Sequence, residues 1–405
     1  FNASGWKRSE IVTIPNERAG IYRDEQGNEL DAQQAGTVTY VEVKDIPAMG
    51  TGTIIFEEKK AEETEAEFTI CGKNIETPYY SMSMNGYGQI TRLYDKIFAR
   101  DVLPKGERAN VFQMFEDKPL DNDAWDIDIF YQEKMREITD MTKFEVIECG
   151  PLQMKIHMEW NYMNSFIAQD MVLYSNTRRI DFRTTVDYHE QHQLLKVAFP
   201  VDIRSTYGTY DVQYGNVRRP NHWNTSWDQA RFESVAHRWA DLSERNYGVS
   251  LLNDCKYGHD IKDNVIRMSL LKAATHPDHL QDQGMHEFTY ALLPHGGDFV
   301  EGRVVQEAYA LNDPMLVVHG ISNLGYESFV RFDNDQIELD AVKKSEDGDY
   351  IVIRFHEFAG SAQNVTVYPG FHFKSWVECD LRERPVGSVS QEKEIHLSMH
   401  AYEIK

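Results

Sequence analysis

Short runs of β-branched and aromatic residues, spaced too closely for a helix to fit between them, constrain this chain more than any other feature. Thr37 to Val43 reads TVTYVEV and Gly52 to Phe56 reads GTIIF, both of strand length. Met154 to Tyr162 (MKIHMEWNY), Asp170 to Tyr174 (DMVLY) and Ile180 to Tyr188 (IDFRTTVDY) then follow with turn residues between them. Parallel neighbours need a crossover of roughly a dozen residues or more, so strands this close pair antiparallel. Asp349 to His356 (DYIVIRFH) and Asn364 to Tyr368 (NVTVY) repeat the pattern near the end. No long segment keeps a 3.6-residue apolar period, and the expected fold class is all-β.

The chain's 405 residues exceed what one small core needs, so several domains are expected. Glu57 to Glu67 (EEKKAEETEAE) is a charge run without an apolar face and reads as an exposed linker. A second break falls at Pro294-His295-Gly296-Gly297-Asp298. The expected division is a small β domain at 1-66, a large β-sandwich domain at 67-300 and an immunoglobulin-like β domain at 301-405. The first residue is Phe1, from which the chain is expected to start inside a longer product.

Lys and Arg number 42 against 65 Asp and Glu, a formal charge of −23. That excess repels phosphate backbones and anionic lipid, so neither nucleic acid nor a membrane is an expected partner. No stretch has the roughly 20 consecutive apolar residues of a spanning helix. Cys71, Cys149, Cys255 and Cys379 lie far apart without a CxxC pair, and read as free thiols of a reducing compartment.

Several segments could carry chemistry. His189 and His192 lack the HExxH spacing and, on a strand, would face opposite ways, so a structural role is expected. His276, His279, Asp282 and His286 form a looser group, short of evidence for the three or four convergent ligands of a zinc site. In Asp123 to Asp128 (DAWDID), an extended chain would put Asp126 and Asp128 on one face and Trp125 on the other. Their separation of about 6.6 Å would suit glycosidase carboxyls, which stand roughly 5–10 Å apart. A capped turn around a buried Trp fits the same residues. Arg218 to Asp228 (RRPNHWNTSWD), with Trp223 and Trp227, has the content of a binding loop. Asp254, Lys256 and Tyr257 follow the apolar strand Val249 to Leu252; they offer a cation and a phenol to a ligand, or a strand-end salt bridge. No GxSxG elbow, Cys/His nucleophile pattern or phosphate-cradling glycine loop is present.

The same segments carry a resemblance. FNASGWKRSEIVTIP (Phe1 to Pro15), GQITRLYDK (Gly88 to Lys96) and VFQMFEDKPLDNDAWDID (Val111 to Asp128) are similar to the β-rich half of family 38 glycoside hydrolases, the α-mannosidases. So are YHEQHQLLKVAFPVDI (Tyr188 to Ile203), RRPNHWNTSWDQARFE (Arg218 to Glu233), HRWADLSERNYGVSLLNDCKYGHD (His237 to Asp260) and DQGMHEFTYALLPH (Asp282 to His295). Their flavour is that of the bacterial and cytosolic branch, and Thr77 stands where relatives usually show asparagine.

The resemblance implies a large antiparallel β-sandwich of the galactose-mutarotase-like super-sandwich kind, flanked by small β-sandwich domains. It also implies a retaining, zinc-dependent exo-α-mannosidase that takes terminal α-linked mannose from oligosaccharides through a covalent intermediate on an aspartate. In that family the nucleophile, the acid/base and the zinc ligands belong to an N-terminal catalytic half, so no catalytic residue and no metal are expected in this chain. By itself it is expected to be inactive. Loops of the sandwich reach the sugar pocket in such enzymes, and Lys256, Asp254, Trp125 and Asp126 are the expected substrate contacts. Lys256 aligns loosely with an arginine of the Golgi branch. A cytoplasmic location is expected, and a homo-oligomer is left open. A free-standing carbohydrate-binding β-sandwich, or a purely structural β module, would be the alternatives.

Overall fold

A computed structural model describes residues 1–16, 18, 20–59, 66–320 and 328–405. Part of the Glu57 to Glu67 run, read from sequence as a linker, lies outside the described residues. The described chain folds into two compact units. One gathers Phe1–Glu62, Val212–Asn216 and Asp313–Lys405; the other holds Glu63–Asp211 and Val217–Asn312. Nearly all regular structure is antiparallel strand, as the alternation demands.

The larger unit is built on sheets of nine, six and five strands. The nine-stranded sheet runs, edge to edge, Met141–Cys149, Gln153–Tyr162, Ser165–Tyr174, Ile180–Tyr188, Gly284–Gly296, Tyr247–Asn253, Trp239–Ser243, Tyr207–Val212 and Gly215–Pro220. Its first four strands are consecutive hairpins, with Gln153 opposite Tyr174 and Phe166 opposite Asp187. Its middle is closed by chain from far away: Ile180 pairs with Leu292, and Tyr247 with Gly296. The six-stranded sheet runs Met135–Glu137, Val111–Glu116, Gln193–Pro200, Val265–Lys272, Gly258–Lys262 and Ser234–Val235.

One apolar core joins the inward faces of these sheets. Ile156, Trp160, Phe182 and Tyr290 come from the nine strands, Phe112, Val197 and Ile266 from the six, and Ile75 and Met82 from the five. Gly88 has a positive φ of 76° and lies under the Trp160 ring, where a Cβ would stand 2.5 Å from an indole carbon. Trp160 Nε1 donates to the Tyr87 carbonyl at 2.8 Å, so the turn and the buried indole fix each other.

A helix absent from the sequence reading, Val304–Asn312, lies on Tyr247–Asn253 and Trp239–Ser243, with Val304, Val305 and Ala308 buried. Its nine residues are too few to show a clear helical period. It also explains a strand that does not alternate: every residue of Tyr247–Asn253 is buried, because both faces are covered.

Among the described residues the smaller unit shows two apolar clusters. Val12, Tyr22, Val41, Val43 and Met315 form one, beneath the paired strands Arg8–Pro15 and Val38–Ile46. Val330, Ile337, Phe355, Val365, Val367 and Met399 form the other. The buried carboxylate of Glu357 accepts backbone N–H groups from Ala359, Gly360, Ser361 and Tyr402, tying the last turn of the chain to its strand.

Candidate functional site

Within the larger unit, the six-stranded sheet opens a cleft of about 440 Å³, within the range of small-molecule pockets, roughly 300–1,000 Å³. Ser269 to Lys272 of the strand Val265–Lys272 supply one wall, with Leu194 beside them. Glu233, Lys256 and Asp282 bring charge to the rim, His286 adds an imidazole, and Ile127 brings an apolar contact.

Beneath it lies a buried charge network. Lys196 sits on the strand Gln193–Pro200 with no exposed surface, 2.6 Å from Asp260 and in close ion-pair contact with Glu233. Tyr131 Oη donates to Glu233 Oε1 at 2.6 Å, and Arg267 Nε donates to Asp260 Oδ1 at 2.8 Å. Two cations therefore face two carboxylates, which is the arrangement that makes buried charge tolerable. Burial by itself would lower the Lys196 ammonium, but Asp260 and Glu233 together hold it above its ordinary value. Burial also raises the Glu233 carboxyl, with Lys196 opposing that shift and Asp260 adding to it. His259, fully buried on the next strand, is pushed down to about 4 by desolvation.

Of the four residues expected at a sugar site, Lys256 lines the cleft. Its ammonium stands 4.6 Å from the centre of the Phe288 ring, and no carboxylate among the described residues pairs with it, so the strand-end salt bridge does not form. Asp254 serves the backbone: its Oδ2 accepts the Thr289 N–H at 2.9 Å, while its buried Oδ1 takes no hydrogen bond from a described residue. Trp125 and Asp126 sit in a turn, not a strand, with the N–H groups of both directed at the Asn122 carbonyl. The extended-chain spacing of Asp126 and Asp128 therefore does not apply. Asn122 adopts a positive φ of 53°, and Asp128 Oδ2 accepts the Leu120 N–H, closing the turn internally. The indole of Trp125 is 69 % exposed, which removes the buried-Trp alternative as well. The next residue but one, Ile127, reaches the cleft.

The histidines also take structural places. His189 and His192 lie in the loop before Gln193–Pro200, not on a strand; His192 meets Thr275 Oγ1 at 3.2 Å and His189 meets Asp187 at 2.8 Å. His286 contacts the Asp282 carbonyl at 3.0 Å. Among the described residues no three His, Cys, Asp or Glu side chains converge to hold a metal ion. Sequence reasoning missed Glu233, Lys196 and Ser269. The available signal was Lys196, a lone charge inside the apolar run LLKVAF.

Comparison with known proteins gives these features a lineage. Residues 75–280 match the family described as Glycosyl hydrolases family 38 C-terminal domain, and 336–405 match the one described as Glycosyl hydrolases family 38 C-terminal beta sandwich domain. The cleft and its charge network fall almost wholly in the first. Alpha-mannosidase 2C1 of Homo sapiens is 37 % identical over 307 residues, 74 % of this chain and 29 % of that protein. Alpha-mannosidase G of Dictyostelium discoideum is 35 % identical over 347 residues, 82 % of this chain and 32 % of that one. The chain thus spans about a third of these relatives. The crystal structure of an alpha-mannosidase from Enterococcus faecalis superposes on all of the chain, using 55 % of its own, with a TM-score of 0.78 at 16 % identity. An all-β chain of stacked antiparallel sheets, matched over half its length by the family's C-terminal domain, belongs to glycoside hydrolase family 38.

Proposed function

We propose that this chain is the β-rich C-terminal portion of a retaining, zinc-dependent exo-α-mannosidase, and that its cleft helps to hold the terminal mannose of an oligosaccharide. The observation that carries this is the match over 75–280, the region that holds the cleft. The nucleophile, the acid/base and the zinc are assigned to polypeptide outside this chain, since the relatives are about three times as long. No three potential ligands converge among the described residues, so no zinc is assigned to them. Its own contribution is binding: Lys256 offers N–H donors, and the carboxylates at the rim offer acceptors. The division 1-66, 67-300 and 301-405 is retained as a proposal for its modules; the two family matches fall inside the last two. A cytoplasmic location is proposed alongside. No helix among the described residues is long and apolar enough to cross a membrane.

The test compares the 405-residue chain with a longer protein that includes the preceding polypeptide, on an aryl α-mannoside with and without a zinc chelator. The longer protein is expected to turn over and to lose activity with the chelator, and the shorter chain to be inactive in both. Chelator-sensitive turnover by the shorter chain would place a whole site within it and end this reading.

A further inference from the structure

We infer that Glu233 is the carboxylate through which the cleft grips a ligand hydroxyl, and that Lys196 and Tyr131 are its positioning residues. The inference rests on the cleft being a place where sugar is held, and deepens that reading.

Glu233 lines the cleft, yet its side chain is only 17 % exposed. Both Lys196 Nζ and Tyr131 Oη bind the same oxygen, Oε1. Oε2 takes no hydrogen bond from a described residue and is the oxygen left for the cleft. Burying a carboxylate costs several kcal/mol, and a buried ion pair stabilises a fold no better than apolar residues of the same volume. An ammonium with no exposed surface, committed to a carboxylate at the edge of a cleft, is therefore poorly explained by stability. It is well explained as a brace that aims one acceptor and opposes the upward shift that burial gives its carboxyl.

The other groups in the cleft define the ligand. Ser269 Oγ is buried and has no hydrogen-bond partner among the described residues, so it can both give and take. Lys256 gives only, and Glu233 takes only. Lys272 is already committed to Asp117. The charges of Lys196 and Arg267 are balanced by Glu233 and Asp260; Lys256 forms no ion pair with a described residue, but Asp282 lines the same rim and offsets its charge in number. No cationic excess remains for a phosphate or sulfate, which Glu233 would repel. Adjacent donors and acceptors without net charge fit vicinal hydroxyls, each of which gives one hydrogen bond and takes another. The ligand class is a neutral monosaccharide unit.

The charged and titratable groups around Glu233 are Lys196, Tyr131, Asp260, Arg267 and Tyr210. A ligand hydroxyl donates to the ionised form. Affinity is therefore full above the carboxyl's pKa and is lost as pH falls through it.

The experiment is calorimetric titration of the 405-residue chain with mannose, from neutral pH downward, with inorganic phosphate as the anionic probe. Wild-type protein is expected to bind saturably and to weaken on acidification. Glu233→Gln keeps the volume and leaves Lys196 with Asp260; it is expected to bind about tenfold more weakly, on the order of 1.4 kcal/mol, with no acid limb from this position. Tyr131→Phe removes one hydrogen bond from Oε1 and is expected to move the acid midpoint upward, which a purely structural tyrosine would not do. If Glu233→Gln does not fold, Ser269→Ala tests the same cleft by weakened affinity. Wild-type binding that Glu233→Gln leaves unchanged would overturn this inference while sparing the cleft. Absence of wild-type binding would overturn the reading of the cleft itself, and phosphate binding tighter than mannose would overturn the ligand class. An unmoved midpoint in Tyr131→Phe would remove the positioning role.

Discussion

Lys256 shows how a cation can be left unpaired in a chain with 65 acidic residues. Its N–H is fixed by Asn253 Oδ1 at 2.7 Å, which sets the direction of the side chain, and the Phe288 ring receives the ammonium at 4.6 Å. A cation over a ring keeps most of its hydrogen-bonding capacity, because the ring engages one face only. Lys256→Ala should therefore cost binding and little stability. In the longer enzyme the expected loss is at least about tenfold in kcat/KM, near 1.4 kcal/mol of transition-state binding. Unchanged kinetics would remove Lys256 from the site. Lysine and arginine differ in kind here: a point charge over Phe288 gives no planar, bidentate grip, so the resemblance to an arginine position carried the charge but not the geometry. Asp254 shows the limit of reading a residue from its motif. It stands two places from Lys256, yet its carboxylate holds the Thr289 backbone of the neighbouring strand.

At the scale of strands, the sandwich is held in register by a buried polar knot. Tyr290 Oη donates to Asn110 Oδ1 at 2.6 Å and accepts from Gln169 Nε2 at 2.8 Å, while Asn110 Nδ2 donates to Gln169 Oε1 at 2.7 Å. Asn110 enters the six-stranded sheet with a φ of 56°, and Gln169 and Tyr290 belong to the nine-stranded one, so the knot ties two sheets together. Tyr290→Phe would leave Asn110 Oδ1 without its donor, at a cost of about 1–3 kcal/mol. Urea unfolding should show a lower midpoint with an unchanged slope, and an unmoved midpoint would mean that water replaces the phenol. The strands meeting at this knot were partly legible. Ile180–Tyr188 matches its sequence reading to the residue, and the run Met154 to Tyr162 forms Gln153–Tyr162, because local alternation reports a half-buried face directly. Their hairpin partners followed from the tight turns, but the partner that closes the middle of the sheet was not legible. The pairing of Ile180 with Leu292 spans more than a hundred positions and leaves no local mark. The candidate cleft suffered from the same gap: Glu233, Lys196 and Ser269 come from separate segments that only sheet order brings together, whereas Lys256, which lines the same cleft, entered through the family resemblance and keeps its sugar-binding role as a proposal.

For the chain as a whole, the net charge of −23 decides which electrostatic effect dominates. Many ion pairs are formed at the surface, such as Lys7 with Asp45 and Lys44 with Asp31, with side chains more than half exposed. Such pairs contribute roughly 0–1 kcal/mol each and weaken as salt is added. The pairs that matter most, Lys196 with Asp260 and Arg179 with Asp181, are buried and screened far less. The remaining acidic excess is spread over the surface and repels itself, and that repulsion is also what salt relieves. The two salt effects oppose each other, and the excess of 23 uncompensated carboxylates favours relief. Raising sodium chloride from about 0.01 to 0.1 M shortens the screening length from about 30 to 10 Å. Across that range the melting temperature is expected to rise, by roughly 1 °C for each kcal/mol of repulsion removed from a chain of this size. Chloride is preferred to sulfate, which strengthens apolar burial by itself and would hide the electrostatic term. A fall in melting temperature over the same range would mean that exposed pairs, rather than the acidic excess, set the stability of this surface.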